Sequence, residues 1–226
     1  MVLPLTRMPT GLLCGAVLTA ALLCAGTAAI AAESEVWITP LLKSVDVIHE
    51  GRRVTIRRNP DIHHTVNPQY AYTSRPCPPF CIAPMTMAPG VATVGELEVL
   101  GYLERIAKGD DTVLVVDART PQWPRRGMIP GAINIPWTRF DPNQGGPAAR
   151  AAVLEQQLGV RRRDGAWDFS DAKTVVMYCN GIWCSQSTIA MDALLAIGYP
   201  ADKLKWYRGG MQNWENLGLT TVKSSH

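Results

Sequence analysis

An α/β architecture, a mostly parallel sheet covered by helices on both faces, is what this sequence predicts from Gly90 onward, and three observations predict it. The runs Val113-Leu114-Val115-Val116 and Thr174-Val175-Val176-Met177 lack the alternation of a half-wet sheet and read as strands buried on both faces. Between and after them lie segments with apolar residues at helical spacing, several closed by a glycine. Strand and helix signals then alternate along the chain, the order that builds a parallel sheet through crossover helices. At 226 residues the chain has room for one such domain and appendages.

The chain opens on a leader, residues 1–31. Arg7 is its only charged side chain, Gly11 to Ala31 is an uncharged apolar run, and Ala29-Ile30-Ala31 ends it as an A-x-A pattern before Glu33-Ser34-Glu35. This predicts a secretory signal peptide cleaved near Ala31. The rival is an uncleaved inner-membrane anchor, since the run is long enough to span. A lipoprotein reading of Leu22-Leu23-Cys24 is poorer, because bulky Leu23 stands where a small residue is expected. Export places the chain in an oxidising compartment, the periplasm.

Residues 32–89 form an N-terminal extension of different composition. Val45 to Arg57 alternates around Glu50-Gly51, which predicts a small β-hairpin with Arg52, Arg53, Arg57 and Arg58 on its solvated face. Asn59-Pro60, Asn67-Pro68 and the tract Ser74 to Pro84 are rich in proline, which removes backbone donors and predicts an extended loop. His63-His64 could contribute to a metal site, but adjacent histidines point apart and no third ligand is near in sequence, so a solvated loop is the simpler reading.

Residues 90–226 carry the regular elements. Val91–Val94 is an edge strand, and Gly95–Lys108, with Leu97, Leu100, Leu103 and Ile106, is an amphipathic helix closed by Gly109. Val113–Val116 is a central strand running into Asp117-Ala118-Arg119, and Ala132–Ile135 is a short strand. Ala148–Leu158 is a helix stopped by Gly159; Thr174–Met177 is a strand, and Thr188–Ile197 is the helix after it. Lys203–Tyr207 is the last strand and Met211–Leu217 the closing helix. Trp206 and Trp214 are expected in the core, whereas Trp123 and Trp183 are candidates for lining a pocket.

Tyr178-Cys179-Asn180-Gly181-Ile182-Trp183-Cys184-Ser185 joins a strand to a helix. A cysteine at a strand's carboxyl end, under the first turn of a helix, meets backbone N–H groups and a dipole that favour an anion. A thiolate, or a persulfide formed on it, is stabilised there. In parallel sheets sites form at this edge, where Asp117, Cys179 and Arg208 would all lie.

Four stretches in order, Val115-Val116-Asp117-Ala118-Arg119, Gly127 to Pro136, Val175-Val176-Met177-Tyr178-Cys179 and Arg208-Gly209-Gly210-Met211-Gln212-Asn213-Trp214, resemble a rhodanese-like (sulfurtransferase) domain over about Gly90 to Gly218. The Tyr-Cys-Asn-Gly-x-Trp-Cys loop and Arg75-Pro76-Cys77-Pro78-Pro79-Phe80-Cys81 resemble an exported bacterial subgroup of it. The resemblance implies a flavodoxin-like three-layer α/β/α sandwich around a five-stranded parallel sheet. It also implies Cys179 as the nucleophile, attacking a sulfur donor such as thiosulfate and carrying the sulfur as a persulfide to a thiol acceptor. The loop amides of Asn180, Gly181, Ile182, Trp183 and Ser185, with Arg208, Arg125 or Arg126 at the mouth, would hold the anion. Asp117 and Arg119 are expected as a supporting ion pair or cap. The loop from Cys179 through Cys184 has the length this family uses for sulfur, while related phosphatases use one residue more and a terminal arginine that is missing here. Two departures stand out. No cation lies inside the loop, where thiosulfate-active members commonly have one, and Met128 replaces a usual histidine.

Of six cysteines, Cys14 and Cys24 lie in the leader. Cys184 is either a resolving thiol for Cys179 or a small buried hydrophobe. Cys77 and Cys81 read as a structural disulfide, as a second redox pair, or, least well, as metal ligands. Three functions follow: a persulfide sulfurtransferase, a thiol–disulfide or persulfide relay, and an idle binding module whose extension docks on a periplasmic protein. No metal, nucleotide or organic cofactor is implied, and a formal charge of +3 without a long basic block gives nucleic-acid binding no support.

Overall fold

Two antiparallel strands, β1 (Ser44–His49) and β2 (Arg52–Arg57), come first in the computed structural model, which describes residues 35–225. Glu50 and Gly51 turn between them with φ of 47° and 75°, the left-handed pair whose twist matches that of the flanking strands. Val45, Val47 and His49 face inward, and Arg52, Arg53 and Arg57 are exposed. Arg58 departs from the expected solvated face: it is half-buried, and its Nε donates to the Leu217 carbonyl at 2.9 Å. The leader, with the signal-peptide and anchor expectations, lies outside the described residues. No described helix is long and apolar enough to cross a membrane.

After one 3-10 turn at Pro68–Tyr70 and the proline-rich loop come β3 (Ala92–Val94), α1 (Glu96–Ala107), β4 (Val113–Asp117), β5 (Ile133–Asn134) and α2 (Gly146–Gln156). Next is a small hairpin, β6 (Arg161–Arg163) and β7 (Ala166–Asp168), which lacks any apolar alternation; Asp164-Gly165 at its turn, both at positive φ, was its one signal. The chain ends with β8 (Thr174–Tyr178), α3 (Gln186–Leu195), β9 (Leu204–Tyr207) and α4 (Gly210–Asn216).

The main sheet is five-stranded and parallel, in the order β3-β9-β8-β4-β5. Alternation along β8 divides its core: Val175 and Met177 join the helices α2 and α3 on one face, while Val176 and Tyr178 join α1 and α4 on the other. Both faces are therefore apolar and covered, which is why the strands read as continuous runs. The N-terminal hairpin packs into the second layer, with Val45, Val47 and Ile56 against Val99, Leu100 and Leu103 of α1. The extension also reaches both faces, since Tyr70 is buried in the second core and Ala83, Met87 and Ala88 pack on the first.

Candidate active site

β8 delivers Cys179 to the carboxyl edge of the sheet, 2 % exposed, and the loop from Cys179 to Ser185 leads directly into α3. The start of α4 fixes this loop from the side. Met211 N donates to the Cys179 carbonyl (3.0 Å) and Gln212 N to the Asn180 carbonyl (2.9 Å). Only glycine serves at position 210: its φ is +57°, and a Cβ would stand 2.5 Å from Cys179 O and 2.8 Å from Gly181 N. Gly210 of the Arg208-Gly209-Gly210 sequence is thus a backbone requirement of the cysteine loop.

As a thiol, Cys179 donates to the Cys184 carbonyl oxygen at 3.0 Å, and the Ser187 hydroxyl points at its sulfur from 3.3 Å. Trp206 Nε1 donates to Ser187 Oγ (3.2 Å), which leaves that hydroxyl's own proton for the sulfur. Burial works against the charged form of Cys179. Hydrogen bonds from the Cys184 thiol, from the Ser187 hydroxyl and from the backbone N–H groups of Ser187 and Gly181 overcome it and bring Cys179 down to about 7. The bond to Cys179, burial and the neighbouring negative charge push Cys184 in the opposite direction, well above the ordinary thiol range. The pair thus divides into one thiolate and one retained thiol.

Asp117 and Arg119 form a fully buried ion pair at 2.6 Å, with Arg119 Nε and Nη2 each donating to one carboxylate oxygen. Nη2 also donates to Gly127 O (2.7 Å), and Nη1 donates to Tyr70 Oη (2.9 Å) and Asn180 Oδ1 (3.4 Å). Tyr178 Oη donates to Asp117 Oδ2 (3.1 Å). Burial opposes the charge on Arg119, but the adjacent carboxylate overrides it and holds the guanidinium firmly protonated. Through Asn180, whose Nδ2 lies 3.8 Å from Cys184 Sγ, this network reaches the cysteine loop.

The extension roofs that loop. Ala83 N donates to the Ile182 carbonyl at 2.8 Å. Arg75 lies over the Trp183 ring, and Phe80 meets it edge-on with centroids 5.7 Å apart. Trp183 Nε1 donates to Gln212 Oε1 (2.7 Å), whose Nε2 donates to Tyr70 O (3.2 Å). Cys77 and Cys81 are bridged, with Cα atoms 4.6 Å apart, closing the turn that carries Phe80.

The structure therefore brings Cys179, Cys184, Asn180, Gly181, Ile182, Trp183 and Ser185 into one loop, with Asp117 and Arg119 beneath it. Arg208 is committed elsewhere: its Nε donates to Pro84 O (3.0 Å) and its Nη2 to Ala83 O (2.7 Å), clamping the extension. Trp206 and Trp214 are core residues, and Trp123 stacks beside Tyr70 at 6.5 Å. Tyr70, Arg75, Ser187 and Gln212 were not anticipated. Ser187 had a signal, eight residues after Cys179 and so in the first turn of the following helix; the other three are brought in by tertiary contacts.

A family model for the rhodanese-like domain matches residues 100–217. The chain belongs to the rhodanese-like domain family. No curated protein matches the chain. Among solved structures, the rhodanese-like chain is similar to a protein from Bacillus halodurans, at 20 % identity over 58 % of this chain and 77 % of that one, TM-score 0.41. It is also similar to a 3-mercaptopyruvate sulfotransferase from Escherichia coli, at 24 % identity over 54 % of this chain and 43 % of that one, TM-score 0.36. A human single-domain sulfurtransferase is 22 % identical over 55 % of this chain and 95 % of that one, TM-score 0.37.

Proposed function

We propose that this rhodanese-like protein is an exported sulfurtransferase that carries sulfane sulfur on Cys179. The observation that carries the reading is the environment of that thiol: it is buried, yet hydrogen bonds from Ser187, Gly181 and Cys184 bring it down to about 7. A buried inert cysteine would be raised instead. Membership of the family supports a sulfur-transfer role.

In the first half-reaction the Cys179 thiolate attacks the outer sulfur of the donor. The donor S–S bond breaks, and the leaving group departs with the electron pair, as sulfite from thiosulfate or as a thiolate from a persulfide. In the second, an acceptor thiolate attacks the outer sulfur of the Cys179 persulfide, whose S–S bond breaks to return the thiolate. The two steps balance without an external oxidant. The persulfide anion would take over the hydrogen bonds that hold the thiolate, and no separate cofactor enters. Because Cys179 is buried and the extension is fastened to Ile182 and Trp183 of its loop, we take donor entry to require the Arg75–Phe80–Ala83 segment to lift. Export rests on the leader's pattern, and a periplasmic protein reaching the extension is the matching acceptor partner.

A relay in which Cys184 resolves the persulfide is the second reading, favoured by its place as a second free, buried thiol in the same loop, its carbonyl accepting from the Cys179 thiol at 3.0 Å. There the Cys184 thiolate attacks the inner sulfur, expelling hydrosulfide and leaving a Cys179–Cys184 disulfide that a dithiol reductant must reset. The raised thiol of Cys184 opposes it. Intact-mass measurement and peptide mapping after thiosulfate or a persulfide donor test both. One added sulfur on the Cys179 peptide is expected. A Cys179–Cys184 bridge with free hydrosulfide would transfer the assignment to the relay, and neither product would leave the binding module.

A further inference from the structure

Two anions must meet before sulfur can pass from a donor such as thiosulfate to Cys179. One is the Cys179 thiolate, and the other is the donor itself, a dianion. Like charges brought together at a buried site repel unless a cation stands near. None of residues 180–185 is a lysine or an arginine. Arg119 is already neutralised beneath the loop by Asp117, with both side chains fully buried. Arg126 lies over the Trp123 ring, and Arg208 uses N–H groups on the carbonyls of Ala83 and Pro84.

Arg75 is placed differently. Its guanidinium carbon stands 3.7 Å from the ring centroid of Trp183, the fourth residue after Cys179. A positive charge from the extension is therefore anchored on the cysteine loop itself. No carboxylate among the described residues pairs with it. The indole face attracts this charge without cancelling it. Of its N–H donors only one is engaged, from Nη2 to the Gln69 carbonyl at 3.2 Å. Nε is buried without a partner, and Nη1 has none among the described residues either.

The place of Arg75 in the extension supplies a second argument. It precedes the Cys77–Cys81 bridge by two residues, and Ala83, which bonds Ile182, follows the bridge by two. Both fastenings belong to the segment that has to lift for a donor to reach Cys179. The charge travels with that segment, so an entering donor meets it. Lifting also returns Nε–H to solvent, whose burial without a partner is costly in the closed arrangement. A guanidinium suits the oxygens of a sulfonate-type group, which it can bind two at a time.

We propose that Arg75 is the specificity-determining residue by which this site selects anionic sulfur donors, the negative oxygens of the donor facing its guanidinium while the Cys179 thiolate attacks the outer sulfur. This rests on the sulfur-transfer reading of Cys179. With thiosulfate, the S–S bond breaks and sulfite departs with its electron pair, so the charge on the oxygens stays beside the same cation throughout. Arg75 acts on the donor and leaves the chemistry of the thiol to the loop.

The test compares two alkylating reagents of similar size, anionic iodoacetate and neutral iodoacetamide, on the full chain. Their rates at Cys179 are read by peptide mass spectrometry at a pH above the thiol's midpoint. Opening of the roof and ionisation of the thiol affect both reagents alike, so the ratio of the rates isolates the charge. In Arg75→Gln the iodoacetate-to-iodoacetamide ratio should fall roughly threefold, and sulfur uptake from dianionic thiosulfate should fall roughly tenfold relative to the iodoacetamide rate. Arg75→Lys, which keeps the charge, should keep the ratio, and added salt should narrow the gap between Arg75→Gln and the unaltered protein. Arg75→Met, unbranched against the indole, takes the place of Arg75→Gln should that variant not fold. An unchanged ratio in the uncharged variants would overturn the proposal. So would an equal fall in Arg75→Lys, or a fall in Arg208→Gln with none in Arg75→Gln. Alkylation needs no sulfur transfer: a ratio that responds in a protein that takes up no sulfur would sink the sulfurtransferase reading and leave the anion selectivity of Arg75 standing.

Discussion

The guanidinium of Arg75 lies over the indole of Trp183, 3.7 Å from the ring centroid. One residue belongs to the extension and the other to the cysteine loop, so a cation–π contact bridges two parts of the chain more than a hundred residues apart in sequence. Beside it, the Ala83–Ile182 backbone hydrogen bond and the Arg208 clamp hold the same roof down.

Arg75→Ala should loosen that roof. Losing a cation–π contact of about 1 kcal/mol raises the open population about fivefold. Alkylation of Cys179 by iodoacetamide under native conditions should quicken by that factor, with little change in overall stability. An unaltered rate would show that the extension does not gate the thiol.

Reactivity should also report the thiol's charge. Cys179 is held down to about 7, so alkylation of the unaltered protein should rise with pH through about 7 and level off above it. In Ser187→Ala, a hydrogen bond to the thiolate is lost and the midpoint should move upward toward the ordinary thiol value. A midpoint that stays in place would remove Ser187 from the machinery.

Cys179→Ser should lose all sulfur uptake while unfolding as the unaltered protein does. Cys184→Ala should retain uptake, because Cys179 keeps its Ser187 and Gly181 donors, though its alkylation midpoint should rise with the loss of the Cys184 side-chain donor. Mass spectrometry after incubation with a sulfane donor reads both, and uptake surviving in Cys179→Ser would refute the nucleophile assignment.

Arg119→Gln should destabilise the fold by about 3–5 kcal/mol, because it strands the Asp117 carboxylate at a fully buried position. The double change Asp117→Asn with Arg119→Gln should cost less than the sum of the two single changes. Urea denaturation of the three variants checks this, and strict additivity would argue that the pair is not coupled.

Replacing Cys77 and Cys81 together by serine should cost about 2 kcal/mol or less, since the bridge closes a loop of a few residues only. Its larger effect should be local, a faster exchange of the Ala83 amide that bonds Ile182. Hydrogen exchange at that amide is the readout.

The main sheet was legible because its signals are local and mutually consistent. Val113–Val116 and Thr174–Met177 had no polar face to show, and they became the two neighbouring central strands β4 and β8. Boundaries moved by a residue or two, as at Gly146, where α2 starts ahead of the expected Ala148 with a proline in its first turn. The β6–β7 hairpin was hidden because Arg161-Arg162-Arg163 is exposed throughout and carries no period.

The sequence alone determined the strand–loop–helix setting of Cys179, and with it Asn180, Gly181, Trp183 and Cys184, because a loop between two strongly patterned elements has few places to go. It also indicated the Asp117–Arg119 pair, two residues apart at a strand end. Tertiary structure alone decided that Arg208 clamps Ala83 and Pro84 instead of facing an anion, that Arg75 and Tyr70 reach the loop, and that His49 is buried with an unpaired N–H. Each of these depends on how the extension folds back over the sheet. That path is set by long-range contacts such as Val45 and Val47 against α1, which leave no periodic trace at the residues they bring together.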